Sequence, residues 1–165
     1  AQAREAIAEP IRLARSRRTA AQRGAWFVER VRQELEERVG ERFYTAGLRV
    51  HTTFDPAVQA AAEAEMARQA DAIEAGQFGR YRHRTYPEAK GETEDGSTPY
   101  LQGAAVVMEA RTGAVLALVG GRDAEDSRFD RVFQARRQPG SAFKPFVFLA
   151  ALEQGVQPTD RIDDT

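Results

Sequence analysis

Ser141 and Lys144 are the two residues whose types and spacing best fit a chemical reaction. Residues three positions apart lie on the same face of a helix, so the hydroxyl and the amine can come within hydrogen-bonding reach. A neutral lysine amine can accept the serine proton and generate an oxygen nucleophile, whereas arginine does not deprotonate at physiological pH. The pair therefore predicts nucleophilic catalysis by Ser141, with Lys144 as the base.

Lysine is rare in this chain, since only Lys90 and Lys144 are lysines among 24 lysines and arginines. A lysine kept against an arginine-favouring composition indicates a site that needs an amine able to lose its proton. Pro145 is a second irregularity, because proline disfavours helical geometry in the preceding residue and lacks an N–H to donate to the Ser141 carbonyl. Such departures from helix-favouring choices concentrate at functional sites.

The segment from Ser141 to Leu152 predicts a helix that ends near Gly155. Every residue from Phe146 to Leu152 is apolar, which is typical of a buried helix. Burial and the positive end of the helix dipole would both favour the neutral amine of Lys144. Backbone N–H groups at the same helix end would face an oxyanion formed at Ser141.

A plainer interpretation of the same two residues stays open. Ser141 can be a helix N-cap, and Lys144 can be a surface lysine that keeps its amine in water. The bare Ser-x-x-Lys spacing is a weak motif, because it also arises by chance. The apolar helix and the hairpin before it favour the catalytic interpretation.

The elements that must position this segment are indicated by apolar periodicity. The alternation of residues 47–54 predicts a strand, and Asp55 before Pro56 is a typical helix start. Together the patterns predict an α+β fold with an antiparallel sheet packed on helices. The full set is a helix at 3–18, a helix at 25–39 before Gly40, a strand at 47–54, a helix at 55–76, a polar loop at 77–99 and a hairpin at 101–109 and 114–119.

The composition excludes several classes of protein. A formal net charge of -1 argues against a nucleic-acid binder. The chain has no cysteine, and its two histidines, His51 and His83, lie far apart, so disulfides, zinc thiolate sites and a Ser-His-Asp triad have little material. We therefore expect no metal and no cofactor. No apolar run approaches the roughly 18 residues of a membrane span, so we expect any membrane anchor to lie upstream of Ala1.

Four segments, in order along the chain, resemble class A penicillin-binding proteins, the bifunctional peptidoglycan synthases. Residues 136–145, Arg-Arg-Gln-Pro-Gly-Ser-Ala-Phe-Lys-Pro, resemble the active-site segment of that family, and residues 113–121 resemble the hairpin before it. Residues 47–55 are similar to the strand that leaves the inter-domain linker, and residues 27–35 to the helix before that strand. The resemblance covers most of residues 25–165 and is more specific than one tetrapeptide.

This resemblance implies both a fold and a reaction. The fold is that of a penicillin-binding, serine β-lactamase-like transpeptidase domain, present here as its N-terminal portion and preceded by a linker with helices and a strand. Ser141 would attack the penultimate D-Ala carbonyl of a stem peptide, with Lys144 as proton acceptor. The implied partners are peptidoglycan stem peptides and β-lactam antibiotics, and the implied location is the extracytoplasmic face of the bacterial membrane.

The resemblance also implies domain boundaries. Residues 1–24 would be a tail after a glycosyltransferase domain, residues 25–99 an inter-domain linker, and residues 100–165 the beginning of the transpeptidase domain. The Ser-x-Asn and Lys-Thr-Gly motifs of the family do not occur before Thr165. We therefore expect this chain to be catalytically inactive by itself and its parent to carry glycosyltransferase activity as well.

Two other functions stay open. A serine β-lactamase or D,D-carboxypeptidase would use the same Ser141–Lys144 pair, although the linker-like residues 25–76 argue against it. A non-enzymatic cell-wall scaffold or binding module would keep both residues for structural reasons. Fast penicillin hydrolysis would indicate the first alternative, and unchanged peptide cross-linking after loss of Ser141 would indicate the second.

Overall fold

The computed structural model describes residues 23–94 and 97–161. The chain divides into two compact units, Ala1–Gln134 and Ala135–Thr165. The helix predicted at 3–18 lies outside the described residues. None of the helices described is long and apolar enough to cross a membrane.

Helix α1 spans Ala25–Val39 and confirms the prediction made from its apolar stripe. Trp26 and Phe27 are buried on the face that contributes to the core. The helix ends at Gly40, whose N–H donates to the Glu36 carbonyl over 2.9 Å. A short helix, α2, follows at Arg42–Thr45.

Helix α3 spans Pro56–Glu74 and confirms the predicted start at Asp55. The Asp55 carboxylate accepts hydrogen bonds from the N–H of Ala57 at 2.8 Å and of Val58 at 3.1 Å. These N–H groups have no partner within the helix, so the cap stabilises its first turn by about 1 kcal/mol. The helix ends two residues before Gly76, the predicted end.

The predicted hairpin is confirmed as strands β1, Ala105–Met108, and β2, Val115–Val119. The strands pair antiparallel, with Ala105 opposite Val119 and an irregularity between Val107 and Met108. Both α1 and α3 contact β2, so the described residues confirm an antiparallel sheet packed on helices. Leu118 joins Trp26 and Phe27 in the core, which five partly buried side chains extend: Val31, Phe54, Val115, Ala124 and Val132.

Residues 47–54 do not form the predicted strand. Two hydrogen bonds connect the end of this segment to the hairpin. The Thr53 hydroxyl donates to the Val115 carbonyl, and the N–H of Asp55, just after the segment, donates to the Leu116 carbonyl over 2.9 Å. A strand requires a neighbour that pairs its N–H and C=O groups along its length. Among the described residues no such neighbour lies beside this segment, so its alternating side chains did not produce a strand.

The described residues of the predicted loop, 77–94 and 97–99, contain one short helix, α4, at Tyr86–Ala89, and otherwise form the loop as predicted. The Thr85 N–H at its start donates to Glu88 Oε2 over 2.9 Å. Two acidic residues of the segment after β2 hold the loop. Tyr86 donates to Asp123 Oδ2 at 2.7 Å, and the Thr93 hydroxyl donates to Asp126 Oδ2 at 2.9 Å.

Candidate active site

Ser141 and Lys144 lie one turn apart in the second unit. A 3₁₀ helix spans Gly140–Phe143, and helix α5 continues from it over Lys144–Glu153. The Lys144 N–H donates to the Ser141 carbonyl, which closes the 3₁₀ turn. Gly140 has a φ of 54°, a left-handed conformation that costs a residue with a Cβ about 1 kcal/mol or more. Glycine before the serine is therefore required by the backbone that enters this turn.

Pro145 does not distort the residue before it, which corrects the sequence prediction. Lys144 has φ -56° and ψ -39°, which is ordinary helical geometry. The physical reason is position, because Pro145 lies in the first turn of α5, where an N–H has no partner within the helix. The Ser141 carbonyl, which would otherwise lack a donor, is satisfied by the Lys144 N–H.

The side chains of Ser141 and Lys144 are exposed. Over the part of the chain that the structure covers, no hydrogen bond joins Ser141 Oγ to Lys144 Nζ. The backbone therefore places the two residues one turn apart, and their catalytic pairing stays a prediction.

The prediction that the helix after Ser141 is buried is wrong for the described chain. Phe146 is 66% exposed and Phe148 is 62% exposed. The described part of the second unit contains the 3₁₀ turn and α5 and no other helix or strand. A single helix cannot cover its own apolar surface, whichever face a side chain occupies. Three further side chains of α5 are more than half exposed, namely Val147, Leu149 and Leu152.

The scarcity of lysine suggested that each lysine occupies a site that needs a deprotonated amine, and Lys90 contradicts this. Its amine lies 2.8 Å from Asp123 Oδ2, and the hydrogen bonds to Asp123 and Tyr86 raise its pKa. Burial alone would raise the pKa of Asp123, but the hydrogen bonds from Lys90, Tyr86 and the Glu125 N–H lower it to about 2. Lys90 is thus held as a cation in an ion pair and is no candidate base.

The segment that follows β2 begins in close contact with the core. A Cβ on Gly120 would lie 2.4 Å from Asp130 Oδ1 and 3.0 Å from Trp26 Cδ2. The Gly120 carbonyl accepts a hydrogen bond from the Arg131 N–H over 2.9 Å. Gly120 at the end of the hairpin is therefore favoured by packing, since a Cβ there would displace the Asp130 side chain.

Comparison with known proteins matches residues 103–165 to the family described as the penicillin binding protein transpeptidase domain. The chain is also 56% identical over 66 residues to penicillin-binding protein 1A of Neisseria lactamica. Over the same length it is 58% identical to penicillin-binding protein 1A of Rickettsia typhi and 54% identical to that of Neisseria gonorrhoeae. From residue 103 onward, the chain is therefore similar to penicillin-binding transpeptidase domains.

The resemblance to class A penicillin-binding proteins is thereby confirmed for the matched residues, while the likeness of residues 27–35 and 47–55 to the family lies outside the family match and stays a prediction. Each of these alignments spans 40% of this chain and 8% of the relative. The transpeptidase match includes both hairpin strands and both candidate site residues, Ser141 and Lys144. No group of three or more acidic or histidine side chains suited to a metal ion occurs in the described ranges.

Gln59 supports the transpeptidase hairpin and was missed by sequence reasoning. Its side chain is fully buried, accepts from the Leu118 N–H at 2.9 Å and donates to the Leu118 carbonyl at 3.0 Å. The amide thus occupies the place of a neighbouring strand at Leu118. The available signal was a glutamine on the apolar stripe of α3 that contains Met66 and Ile73.

Proposed function

We propose that this chain is part of a penicillin-sensitive peptidoglycan D,D-transpeptidase, within a bifunctional cell-wall synthase, with Ser141 as its nucleophile. The observation that supports it is the position of Pro-Gly-Ser-Ala-Phe-Lys at the beginning of α5, inside residues 103–165 that match the transpeptidase family. The serine and the only lysine of this region are separated by a single 3₁₀ turn. The names of the relatives, penicillin-binding protein 1A, agree with this assignment.

In the proposed reaction, Lys144 Nζ accepts the proton of Ser141 Oγ as the oxygen attacks the penultimate D-Ala carbonyl of a stem peptide. Backbone N–H groups at the start of α5 stabilise the oxyanion. The bond to the terminal D-Ala breaks, and D-Ala leaves with the proton that Lys144 held. An amine of a neighbouring stem peptide then attacks the acyl-serine ester. Its proton passes by way of Lys144 Nζ to Ser141 Oγ as the ester bond breaks, which forms the cross-link and frees Ser141.

A β-lactam replaces the peptide in this scheme. Its ring carbonyl is attacked by Ser141 Oγ, the ring C–N bond breaks as the ring nitrogen takes the serine proton by way of Lys144, and the acyl group stays on the serine as an ester. A transpeptidase holds this ester for a long time, whereas a β-lactamase hydrolyses it quickly. The lifetime of the ester therefore separates the proposed function from the first alternative.

The exposure of Lys144 indicates what the rest of the parent must supply. A lysine accepts a proton efficiently when burial and its neighbours favour the neutral amine, and no described residue shields Lys144. We infer that the covering elements lie in the rest of the transpeptidase domain and that the 165-residue chain is inactive by itself. Under the same proposal, residues 1–24 follow a glycosyltransferase domain, residues 25–99 are a linker and residues 100–165 begin the transpeptidase domain.

Under the proposed function, the active domain lies on the extracytoplasmic face of the bacterial membrane, where it meets stem peptides and β-lactams. A membrane anchor lies upstream of it.

The test is acylation of the full-length parent by a fluorescent penicillin, followed on a denaturing gel. Labelling is expected for the parent and for Ser97→Ala, which removes an exposed serine hydroxyl elsewhere. Ser141→Ala is expected to abolish it.

Three results would contradict the proposal. Persistent labelling of Ser141→Ala would place the nucleophile elsewhere. Rapid loss of label with release of hydrolysed penicillin would indicate a β-lactamase. Unchanged peptide cross-linking by Ser141→Ala would indicate a scaffold or binding module. Measurable acylation of the isolated 165-residue chain would overturn its expected inactivity.

A further inference from the structure

The loop after α3 has a charge pattern unlike the rest of the chain. Residues 77–84, called the basic loop below, read Gln-Phe-Gly-Arg-Tyr-Arg-His-Arg. No aspartate or glutamate occurs from residue 75 to residue 87, although the whole chain has 25 acidic residues and a net charge of -1. The positive charge of this loop is therefore a local property.

The backbone of the basic loop is tied at both ends. The Gln77 N–H donates to the Ala72 carbonyl over 3.0 Å, at the end of α3. The Tyr81 hydroxyl donates to the Arg84 carbonyl over 3.2 Å, and Arg84 Nη2 donates to Glu92 Oε1 over 2.9 Å. The loop is thus held at both ends, and Phe78, Arg80 and Arg82 lie exposed between these hydrogen bonds.

Arg80 and Arg82 are exposed, and within the described ranges neither has an ion pair, a side-chain hydrogen bond or an aromatic contact. Carboxylates close to the loop in sequence are already engaged. Asp71 and Glu74 form ion pairs with Arg122. Glu88 accepts from Thr85, and Glu92 accepts from Arg84. The charge of the two arginines is therefore not offset by its nearest acidic neighbours.

Phe78, two residues before Arg80, is 68% exposed. An exposed aromatic ring beside unpaired cations has the composition of a site that binds a membrane interface. The ring enters the boundary between headgroups and acyl chains, while the cations attract anionic headgroups. A soluble polyanion would use the arginines but would offer no apolar region to Phe78.

We propose that the basic loop binds an anionic phospholipid surface, with Arg80 and Arg82 contacting headgroup phosphates and Phe78 inserted beside them. The proposal is independent of the acyl-serine chemistry assigned to Ser141, since it rests on residues of the first unit alone. It assigns to the region between α3 and α4 a binding role in addition to its role as a connection.

The test measures co-sedimentation of the 165-residue chain with vesicles of equal parts phosphatidylglycerol and phosphatidylcholine, and with vesicles of phosphatidylcholine alone. The exposed apolar side chains of α5 and the arginines of residues 1–22 provide background binding, so matched variants are compared. R80Q/R82Q is expected to weaken partitioning to the anionic vesicles about 25-fold, because each arginine near such a surface contributes about fivefold. R42Q/R49Q removes the same charge from exposed arginines elsewhere and is expected to change partitioning less than about twofold.

A third variant separates a lipid surface from a soluble polyanion. Phe78→Ser is expected to weaken vesicle binding about fivefold and to leave binding of soluble polyphosphate unchanged. Leu48→Ser, at another exposed apolar residue, is expected to leave vesicle binding unchanged. Circular dichroism checks that each variant keeps the helices of the unsubstituted chain.

Two outcomes would overturn the proposal. Equal effects of R80Q/R82Q and R42Q/R49Q would show that the binding responds to net charge alone. Full vesicle binding by Phe78→Ser would show that the loop attracts any polyanion and inserts nothing into the lipid.

Discussion

Strand β2 and helix α5 are both apolar, yet the structure buries one and exposes the other. Ala117, Leu118 and Val119 of β2 are at most 2% exposed. Phe146 and Leu149 of α5 are 66% and 55% exposed. The difference is explained by the partners available in each unit, because α1 and α3 contact β2 whereas the second unit contains no helix or strand besides the 3₁₀ turn and α5 among its described residues.

An apolar pattern therefore predicts that a segment needs cover without saying which residues provide it. The cover of β2 lies N-terminal to the transpeptidase match that starts at residue 103, in helices that the resemblance assigns to a linker. Gln59 of α3 even completes the backbone hydrogen bonding of Leu118. We expect the hairpin to depend on residues 24–74 for its stability, whatever their place in the parent's domain order.

The largest expected effect comes from one substitution made at both sites of this comparison. Leu118→Ala removes a side chain that is 2% exposed and leaves a cavity, so we expect a loss of about 3–5 kcal/mol in the free energy of unfolding. Leu149→Ala removes the same atoms from a side chain that is 55% exposed, and we expect a change below about 0.5 kcal/mol. Urea denaturation of the 165-residue chain, followed by circular dichroism, measures both.

Equal losses in the two variants would break the comparison, because Leu149 would then be covered in solution. In the full-length parent the expectation differs. There Leu149→Ala should also destabilise, since the proposed transpeptidase domain supplies the cover that the chain lacks.

Sequence reasoning succeeded where the signal lies within the segment itself. The helix at Ala25–Val39, the cap at Asp55 and the hairpin follow from local periodicity and turn residues. It failed at residues 47–54 and at α5, because strand pairing and burial depend on partners that a local pattern does not identify. The Ser141–Lys144 spacing was recognised from the sequence, but the described residues show no hydrogen bond between the two exposed side chains, so their catalytic pairing stays a prediction.

Gln59 provides the second test, since its side chain joins helix α3 to strand β2 at Leu118. Gln59→Ala leaves the Leu118 N–H and carbonyl without their side-chain partners in a buried place. An unpaired buried polar group costs about 1–3 kcal/mol, so we expect a loss of about 2–3 kcal/mol in unfolding free energy. Gln69→Ala, at an exposed position of the same helix, is the matched control and should change stability by less than about 0.5 kcal/mol.

Hydrogen exchange extends this second test, because it shows which backbone amides lose protection in the variant. The amide of Leu118 is expected to lose protection in Gln59→Ala, and the amide of Glu74 near the end of α3 is expected to keep it. A uniform loss of protection over both elements would mean that Gln59 serves the general packing of α3, and the strand-like role assigned to its amide would be withdrawn.

The smallest expected effect concerns the pH dependence of the ion pair that fastens the loop of residues 77–99. Burial opposes ionisation of Asp123, yet hydrogen bonds from Lys90, Tyr86 and the Glu125 N–H lower its pKa from 3.8 to about 2. A carboxyl whose pKa is lower in the folded state binds fewer protons there, so its contribution is fully present above about pH 4 and is lost as the pH falls from about 4 to about 2. Because Lys90 is half exposed, solvent screening limits that contribution to about 1 kcal/mol.

We expect thermal denaturation of the unsubstituted 165-residue chain to show this extra loss of stability between pH 4 and pH 2. We expect Asp123→Asn to lack this loss and to be about 1 kcal/mol less stable at pH 7. The control is Asp160→Asn, which changes an exposed carboxylate in the second unit and should have the same pH profile as the unsubstituted chain. If Asp123→Asn also had that profile, the loop would be held by its other contacts.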